Sequence, residues 1–114
     1  MDATALAQVI EAYAADKKAI DVVRLDVGEL LGYTDHFVIA TGNTDRQVKA
    51  IHDGILAGMK QVHGTLPRRV EGLPEAHWVL MDYLDVVVHL FTPEAREYYR
   101  LEQLWGEAPK QAVG

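Results

Sequence analysis

The chain has 114 residues, and 49% of them are hydrophobic, so it can form one domain with a substantial core. It contains no cysteine, which excludes disulfide bonds and thiolate chemistry. Its formal net charge of −6 disfavours direct binding to nucleic acid and favours docking on a basic protein. Neither a signal peptide nor a long apolar run is recognisable, so we expect a cytoplasmic protein without membrane contact.

The first third of the chain predicts one helix and two strands. Asp2 is a suitable N-cap for an amphipathic helix of about four turns. Two strands follow, at residues 20–27 and 35–41, and a short connector over residues 29–33 joins them. The second strand is nearly continuous in its hydrophobicity, which is typical of a central strand. The apolar stripe of the helix consists of Leu6, Val9, Ile10 and Tyr13.

A second helix is predicted to begin after Thr44, whose hydroxyl forms a capping box with Gln47, and to end at Gly64. Gly54 and Gly58 inside this helix each cost about 1 kcal/mol relative to alanine. We expect them to allow a close approach of the helix to a strand. The predicted buried stripe consists of Val48, Ile51, Ile55, Met59 and Val62.

The stretch WVLMDYLDVVVHLF, residues 78–91, predicts a β-hairpin whose two-residue turn is Leu84 and Asp85. In this register Trp78 lies opposite Phe91. One face is apolar and is expected to pack on helices; it carries Val79, Met81, Tyr83, Val86, Val88 and Leu90. The opposite face mixes large apolar groups with a carboxylate and an imidazole, which is typical of a surface that meets a partner. This mixed face carries Trp78, Leu80, Asp82, Val87, His89 and Phe91.

The remaining elements complete the prediction of the fold. A short edge strand over residues 68–71 precedes the hairpin, and Thr92 with Pro93 begins a last helix that ends before Gly106. Residues 110–114 are expected to form a flexible tail. The order of elements predicts a single α+β domain (mixed α/β) with about five strands and helices mainly on one face of the sheet.

The polar residues give little support for catalysis or for a metal. The five histidines show no HxH, HxxxH or HExxH spacing, and serine is absent as well as cysteine. Asp82 and Asp85 are three residues apart, which places Asp85 in the turn and leaves Asp82 to accept from a donor on a partner. An enzyme that uses both aspartates with Mg²⁺ and binds a nucleotide at residues 42–44 stays open as an alternative.

Three long blocks carry a resemblance to a known family. They are DHFVIATGNTDRQVKAI at residues 35–51, WVLMDYLDVVVHLF at residues 78–91 and TPEAREYYRLEQLWGEAP at residues 92–109. In order and spacing these blocks resemble the ribosomal silencing factors, also called Iojap-related proteins, and the resemblance defines a domain over residues 1–109. The sequence departs at Leu84, where relatives commonly have glycine in a DYGDV turn, and leucine disfavours the positive φ of such a turn.

This resemblance implies a fold similar to nucleotidyltransferases without their catalysis and without a cofactor. It also implies binding to a protein on the subunit-joining face of the large ribosomal subunit, a steric block of the small subunit, and repression of translation when nutrients are limiting. Little direct contact with nucleic acid is expected, and a homodimer of the free protein through the mixed face stays open. The partner-binding residues implied by position are Trp78, Leu80, Asp82, Leu84, His89, Phe91, Tyr99 and Trp105.

Overall fold

A six-stranded mixed sheet with helices on both faces forms the protein; the computed structural model describes residues 1–113. The strand order is β3-β4-β5-β2-β1-β6, in which β2 and β5 are parallel and all other neighbours antiparallel. This confirms the predicted α+β class, with six strands where about five are predicted. The elements are α1 (Ala3–Asp16), β1 (Ile20–Asp26), α2 (Gly28–Leu31), β2 (His36–Thr41), α3 (Asp45–His63), β3 (Arg69–Glu71), β4 (Trp78–Asp82), β5 (Val86–Phe91), α4 (Pro93–Tyr99), α5 (Leu101–Leu104) and β6 (Lys110–Val113).

The sixth strand comes from residues that the sequence predicts as a tail. β6 pairs antiparallel with β1, with Val23 opposite Ala112, and the N–H of Asp26 donates to the carbonyl of Pro109 at 2.9 Å. The prediction of a tail is wrong because the backbone groups at the free edge of β1 form the hydrogen bonds to β6. Such pairing does not depend on the side chains of β6, so their pattern does not reveal it. The ordered sheet therefore extends to residue 113.

The hairpin of β4 and β5 forms in the predicted register, with Trp78 opposite Phe91 and Asp82 opposite Val87. Leu84 in the turn has a φ of +76°, a left-handed conformation that leucine disfavours. The N–H of Leu84 donates to Oδ1 of Asp82 at 2.8 Å. The aspartate carboxylate therefore holds the turn in this left-handed conformation.

Helices α1 and α3 cover one face of the sheet. Every residue of the predicted apolar face of the hairpin is buried in this core, from Val79 at 0% exposure to Tyr83 at 5%. A buried ion pair also joins α1 to β1, because Nε and Nη2 of Arg24 donate to the two carboxylate oxygens of Glu11 at 2.7 and 2.8 Å. This face is therefore closed by the chain itself.

The ends of α3 agree with the prediction, but its last buried position does not. The hydroxyl of Thr44 accepts from the N–H of Gln47 at 3.2 Å, and Gly64 caps the other end with a φ of +63°. Val62, predicted in the buried stripe, is 69% exposed. In the last turn His63 faces α1 instead, and its Nε2 lies 3.1 Å from the hydroxyl of Tyr13.

Gly54 and Gly58 permit a close approach of α3, but to a helix and not to a strand as predicted. A Cβ at Gly54 would lie 2.6 Å from Cγ of Lys17, and one at Gly58 would lie 2.7 Å from the ring of Tyr13. Both partners belong to the C-terminal end of α1 or to the residue after it. The two glycines therefore fix the spacing of α1 and α3.

The predicted last helix is interrupted at Arg100, which has a φ of +50° and separates α4 from α5. Arg96 holds the interrupted segment against the sheet. Its guanidinium donates to the carbonyl of Asp21 at 2.6 Å, to Oγ1 of Thr41 at 2.8 Å and to Oε1 of Glu102 at 2.8 Å. The chain after α4 therefore folds back over the second face of the sheet.

Candidate partner-binding site

The centre of the mixed face of the hairpin is covered by the chain itself. Phe91 is 0% exposed and Val87 is 5% exposed, and both belong to a second apolar cluster. Ala95, Leu101 and Trp105 from the folded-back segment pack against this cluster. This corrects the expectation that Phe91 contacts a partner, because its ring is part of the core.

Trp78 is partly exposed and is held from several sides. Its ring centroid lies 5.2 Å from that of Phe91, in a stacked arrangement, and 4.4 Å from that of Tyr99. The indole N–H donates to Nδ1 of His89 at 3.1 Å. Buried groups therefore fix the orientation of Trp78 while part of its surface remains open to solvent.

His89 lies beneath Trp78 and is 5% exposed. Burial lowers the pKa of His89 from its ordinary 6.5 to about 4, so the ring is neutral at neutral pH. Because Nδ1 accepts the indole proton, the imidazole proton lies on Nε2. This N–H finds no hydrogen-bonding partner within residues 1–113, and an unsatisfied buried donor costs about 1–3 kcal/mol.

Asp82 already has partners within the chain, so it is not free for a donor on another protein as predicted. Its Oδ1 accepts from the N–H of Leu84, and its Oδ2 accepts from Nη2 of Arg68 at 3.1 Å. Nε of Arg69 lies 3.7 Å from the same oxygen. With 6% of its surface exposed, Asp82 acts mainly by holding the turn and β3.

Two residues of the predicted set are well exposed: Leu84 at 48% and Tyr99 at 46%. Leu80 is partly buried, and so is Trp105, which packs against the second cluster. The structure thus divides the predicted set into residues at the surface and residues that support them from below. The surface residues are Trp78, Leu80, Leu84 and Tyr99.

Two depressions adjoin this surface. The first, here called the arginine cavity, has a volume of about 430 Å³ and is lined by Tyr33, Arg68, Arg69, Leu80, Asp82, Val87 and His89. The second, here called the tyrosine cleft, has a volume of about 660 Å³, and its lining includes Asn43, Asp45, His77, Glu94, Tyr98 and Tyr99. Trp78 lines neither depression but packs against a residue of each, His89 of the cavity and Tyr99 of the cleft.

Sequence reasoning missed Tyr33, Arg68 and Arg69 as residues of this region. Arg68 and Arg69 precede the hairpin by ten residues or so, and only the pairing of β3 with β4 brings Arg69 opposite Asp82. The available signal was the pair of arginines at a predicted edge strand. An antiparallel edge strand next to the hairpin would have placed them beside Asp82.

The two aspartates of the enzymatic alternative lie in different surroundings. Asp82 is bonded to the turn and to Arg68, while Asp85 lies in the turn, where its carbonyl accepts from the N–H groups of Asp35 and His36. Across residues 1–113 no three histidine or acidic side chains lie close enough to hold a metal ion. In the same range no helix has both the length and the apolar character needed to cross a membrane.

The mixed sheet and its partly exposed aromatic surface define a small α+β domain of a recognisable class. The model of the family described as "Ribosomal silencing factor during starvation" matches residues 1–114, and the chain belongs to this family. It is 40% identical over 109 residues to ribosomal silencing factor RsfS of Bacillus subtilis, covering 96% of this chain and 92% of that protein. It is 46% identical over 95 residues to RsfS of Halalkalibacterium halodurans, covering 82% and 80%.

A solved structure is similar along the whole chain. The crystal structure of protein CV0518 from Chromobacterium violaceum superimposes with a TM-score of 0.89 at 35% identity, covering 100% of this chain and 95% of that one. The α+β fold of this chain is therefore found in an experimental structure of a similar protein.

Proposed function

We propose that this protein represses translation by binding the large ribosomal subunit and blocking its association with the small subunit. The description of its family, "Ribosomal silencing factor during starvation", supports repression under nutrient limitation. The partner in this proposal is a ribosomal protein on the subunit-joining face. The observation that carries the binding role is the aromatic surface around Trp78, which is rigidly supported yet open to solvent.

The contact surface in this proposal consists of Trp78, Leu80, Leu84 and Tyr99. Aromatic side chains of fixed orientation contribute most to binding because little conformational entropy is lost when they are covered. Phe91 and His89 support Trp78 from the core, and Asp82 supports Leu84.

Charge favours a basic protein as the partner. The net charge is −6, and the tyrosine cleft beside Trp78 includes the carboxylates of Asp45 and Glu94. Ribosomal proteins that bind RNA are rich in lysine and arginine, and complementary charge raises the rate of association. A cation of the partner fits between these carboxylates and the rings of Tyr98 and Tyr99.

No conformational change is needed for repression. The protein measures 33 × 33 × 25 Å, so it cannot fit between two subunit surfaces that are in direct contact. A body of this size at the subunit-joining face excludes the other subunit sterically. The degree of repression then follows the occupancy of the large subunit by mass action.

The test is binding of purified large subunits by the Trp78→Ala and Tyr99→Ala variants. We expect Trp78→Ala to weaken binding by about 2 kcal/mol, or about thirtyfold, because it removes a central aromatic contact. Val62→Ala is the matched control, because Val62 is 69% exposed on α3, on the opposite face of the sheet. The thermal unfolding of each variant is measured in parallel.

Sedimentation of mixed subunits then tests the block. Wild-type protein should reduce the fraction of joined subunits, and the Trp78→Ala variant should not. Full affinity of a folded Trp78→Ala variant would remove this surface from the interface. Binding of the wild type without any effect on subunit joining would reject the steric mechanism while keeping the interaction.

A further inference from the structure

The arginine cavity has an excess of hydrogen-bond donors. Nη2 of Arg68 is bonded to Asp82 at 3.1 Å, and a guanidinium has five N–H donors in all. Arg69 has only longer contacts, 3.7 Å to Asp82 and 3.5 Å to Glu71. Both guanidinium side chains are 59% exposed. The Arg69–Glu71 pair is exposed on both sides, and such pairs contribute at most about 1 kcal/mol, so Arg69 can exchange partners readily.

His89 also lines the cavity, as a neutral ring. Its Nε2–H is buried and finds no acceptor in the part of the chain that the structure describes. The cavity's acceptor, the Asp82 carboxylate, is already bonded to Leu84 and Arg68. A bound group that accepts hydrogen bonds would therefore gain donors without breaking strong contacts within the chain.

The charges in the cavity indicate what kind of acceptor fits. Two guanidinium groups and one carboxylate line the cavity, and His89 is neutral. Glu71 lies outside the lining, is 60% exposed and is 3.5 Å from Arg69, so a monovalent anion in the cavity competes with it for this guanidinium. Leu80 and Val87 line the same cavity and can contact a short aliphatic stem.

We infer that the arginine cavity binds a single carboxylate, that of an aspartate or glutamate side chain on the protein partner. A phosphodiester group carries the same charge, but nucleic acid repeats it at every nucleotide, and the net charge of −6 repels such a polyanion. An isolated acidic residue on a basic protein meets no such repulsion. The guanidinium groups of Arg68 and Arg69 bind the carboxylate oxygens, and the methylene stem contacts Leu80.

This inference rests on the proposed function for the identity of the partner, but the cavity can be tested without the ribosome. The probe is N-acetyl-glutamate amide, and the readouts are the NMR signals of the His89 ring and of the Arg68 and Arg69 side chains. We expect saturable shifts with this probe. The neutral isostere N-acetyl-glutamine amide should bind at least about tenfold more weakly, because it lacks the charge.

Variants assign the shifts to the cavity. Arg69→Gln should weaken binding of the glutamate probe about tenfold while keeping the Arg68 contact to Asp82 intact. Lys60→Gln is the matched control, because it removes an exposed charge from α3 on the opposite face and should change nothing. Absence of saturable shifts with the glutamate probe would overturn the inference. Tighter binding of dimethyl phosphate would also overturn it, in favour of a nucleic-acid contact.

Binding to large subunits then tests the source of the carboxylate. The Arg69→Gln variant should bind large subunits more weakly than Lys60→Gln. If it binds them as well as the wild type, the cavity does not receive a carboxylate of this partner, and the inference is wrong while the proposed function stands. If wild-type protein does not bind large subunits at all, the proposed function fails, and with it the partner named here, whereas the NMR result still reports on the cavity.

Discussion

The two faces of one hairpin differ in what they bury and what they leave open. On the face toward α1 and α3, the six hairpin side chains are buried and are apolar except for the hydroxyl of Tyr83. On the other face, burial is complete at Phe91, but it decreases to partial exposure at Trp78 and Leu80. The second face is therefore both core and surface: its centre stabilises the fold, and its rim is available to a partner.

The largest expected effect is the loss of stability when either of two neighbouring residues, which point to opposite faces, is replaced by alanine. Leu90 and Phe91 are both 0% exposed. We expect Leu90→Ala to cost about 2–5 kcal/mol of unfolding free energy and Phe91→Ala about 3–5 kcal/mol, because both leave cavities. Urea denaturation at neutral pH measures both. A loss of less than about 1 kcal/mol of unfolding free energy for Phe91→Ala would show that the second face has no core of its own.

The next effect is the contribution that His89, on the second face, makes to the dependence of stability on pH. Burial lowers the pKa of His89 to about 4 from its ordinary 6.5, so the unfolded chain takes up a proton at this site before the folded chain does. Stability should therefore fall as pH decreases from about 6.5 to about 4, by up to about 3 kcal/mol, and this loss should level off below that range.

The His89→Phe variant isolates this dependence, because the other titrating groups remain. The carboxyls of Asp53 and Glu102 also have lowered pKa values, because burial, which raises them, is outweighed by the hydrogen bonds and charges of their basic partners. These carboxyls act equally in both proteins. Urea titrations at pH 7, 5.5 and 4.5 should give a smaller loss for the variant. Identical losses for both proteins would show that His89 is not held neutral.

The smallest effect concerns the turn and separates stability from binding. Leu84→Gly removes the cost of a left-handed leucine, about 1–2 kcal/mol, and adds the backbone entropy of glycine, about 0.5–1 kcal/mol. We expect a net stabilisation of up to about 1 kcal/mol in urea denaturation. Affinity for large subunits should decrease, because an exposed apolar side chain at the proposed interface is lost. Lower stability of the variant would show that Leu84 packs against the chain.

Local features of the fold could be predicted from the sequence. The hairpin register follows from alternating side chains and a two-residue turn, and the caps at Asp2, Thr44 and Thr92 are short-range hydrogen bonds that depend on neighbouring residues. The edge position of β3 also follows from its short length and flanking proline. These predictions succeed because the determining residues lie within a few positions of each other.

Features that depend on distant segments could not be predicted. Phe91 is buried in a cluster against which residues from both sides of the break at Arg100 pack, and Arg96, just before that break, contacts Asp21 and Thr41, far away in the sequence. The contact of Arg68 with Asp82 likewise depends on which strand pairs with the hairpin. Exposure of the site residues was therefore misjudged at Phe91, and the availability of Asp82 was misjudged for the same reason.

The anchoring of the C-terminal segment by Arg96 also determines how much aromatic surface the protein exposes. The guanidinium joins a residue of α4 to β1 and β2. In this position Ala95, Leu101 and Trp105 cover the cluster that contains Phe91. Detachment of the segment would uncover Phe91 and enlarge the aromatic area, so one guanidinium limits that area to the rim around Trp78.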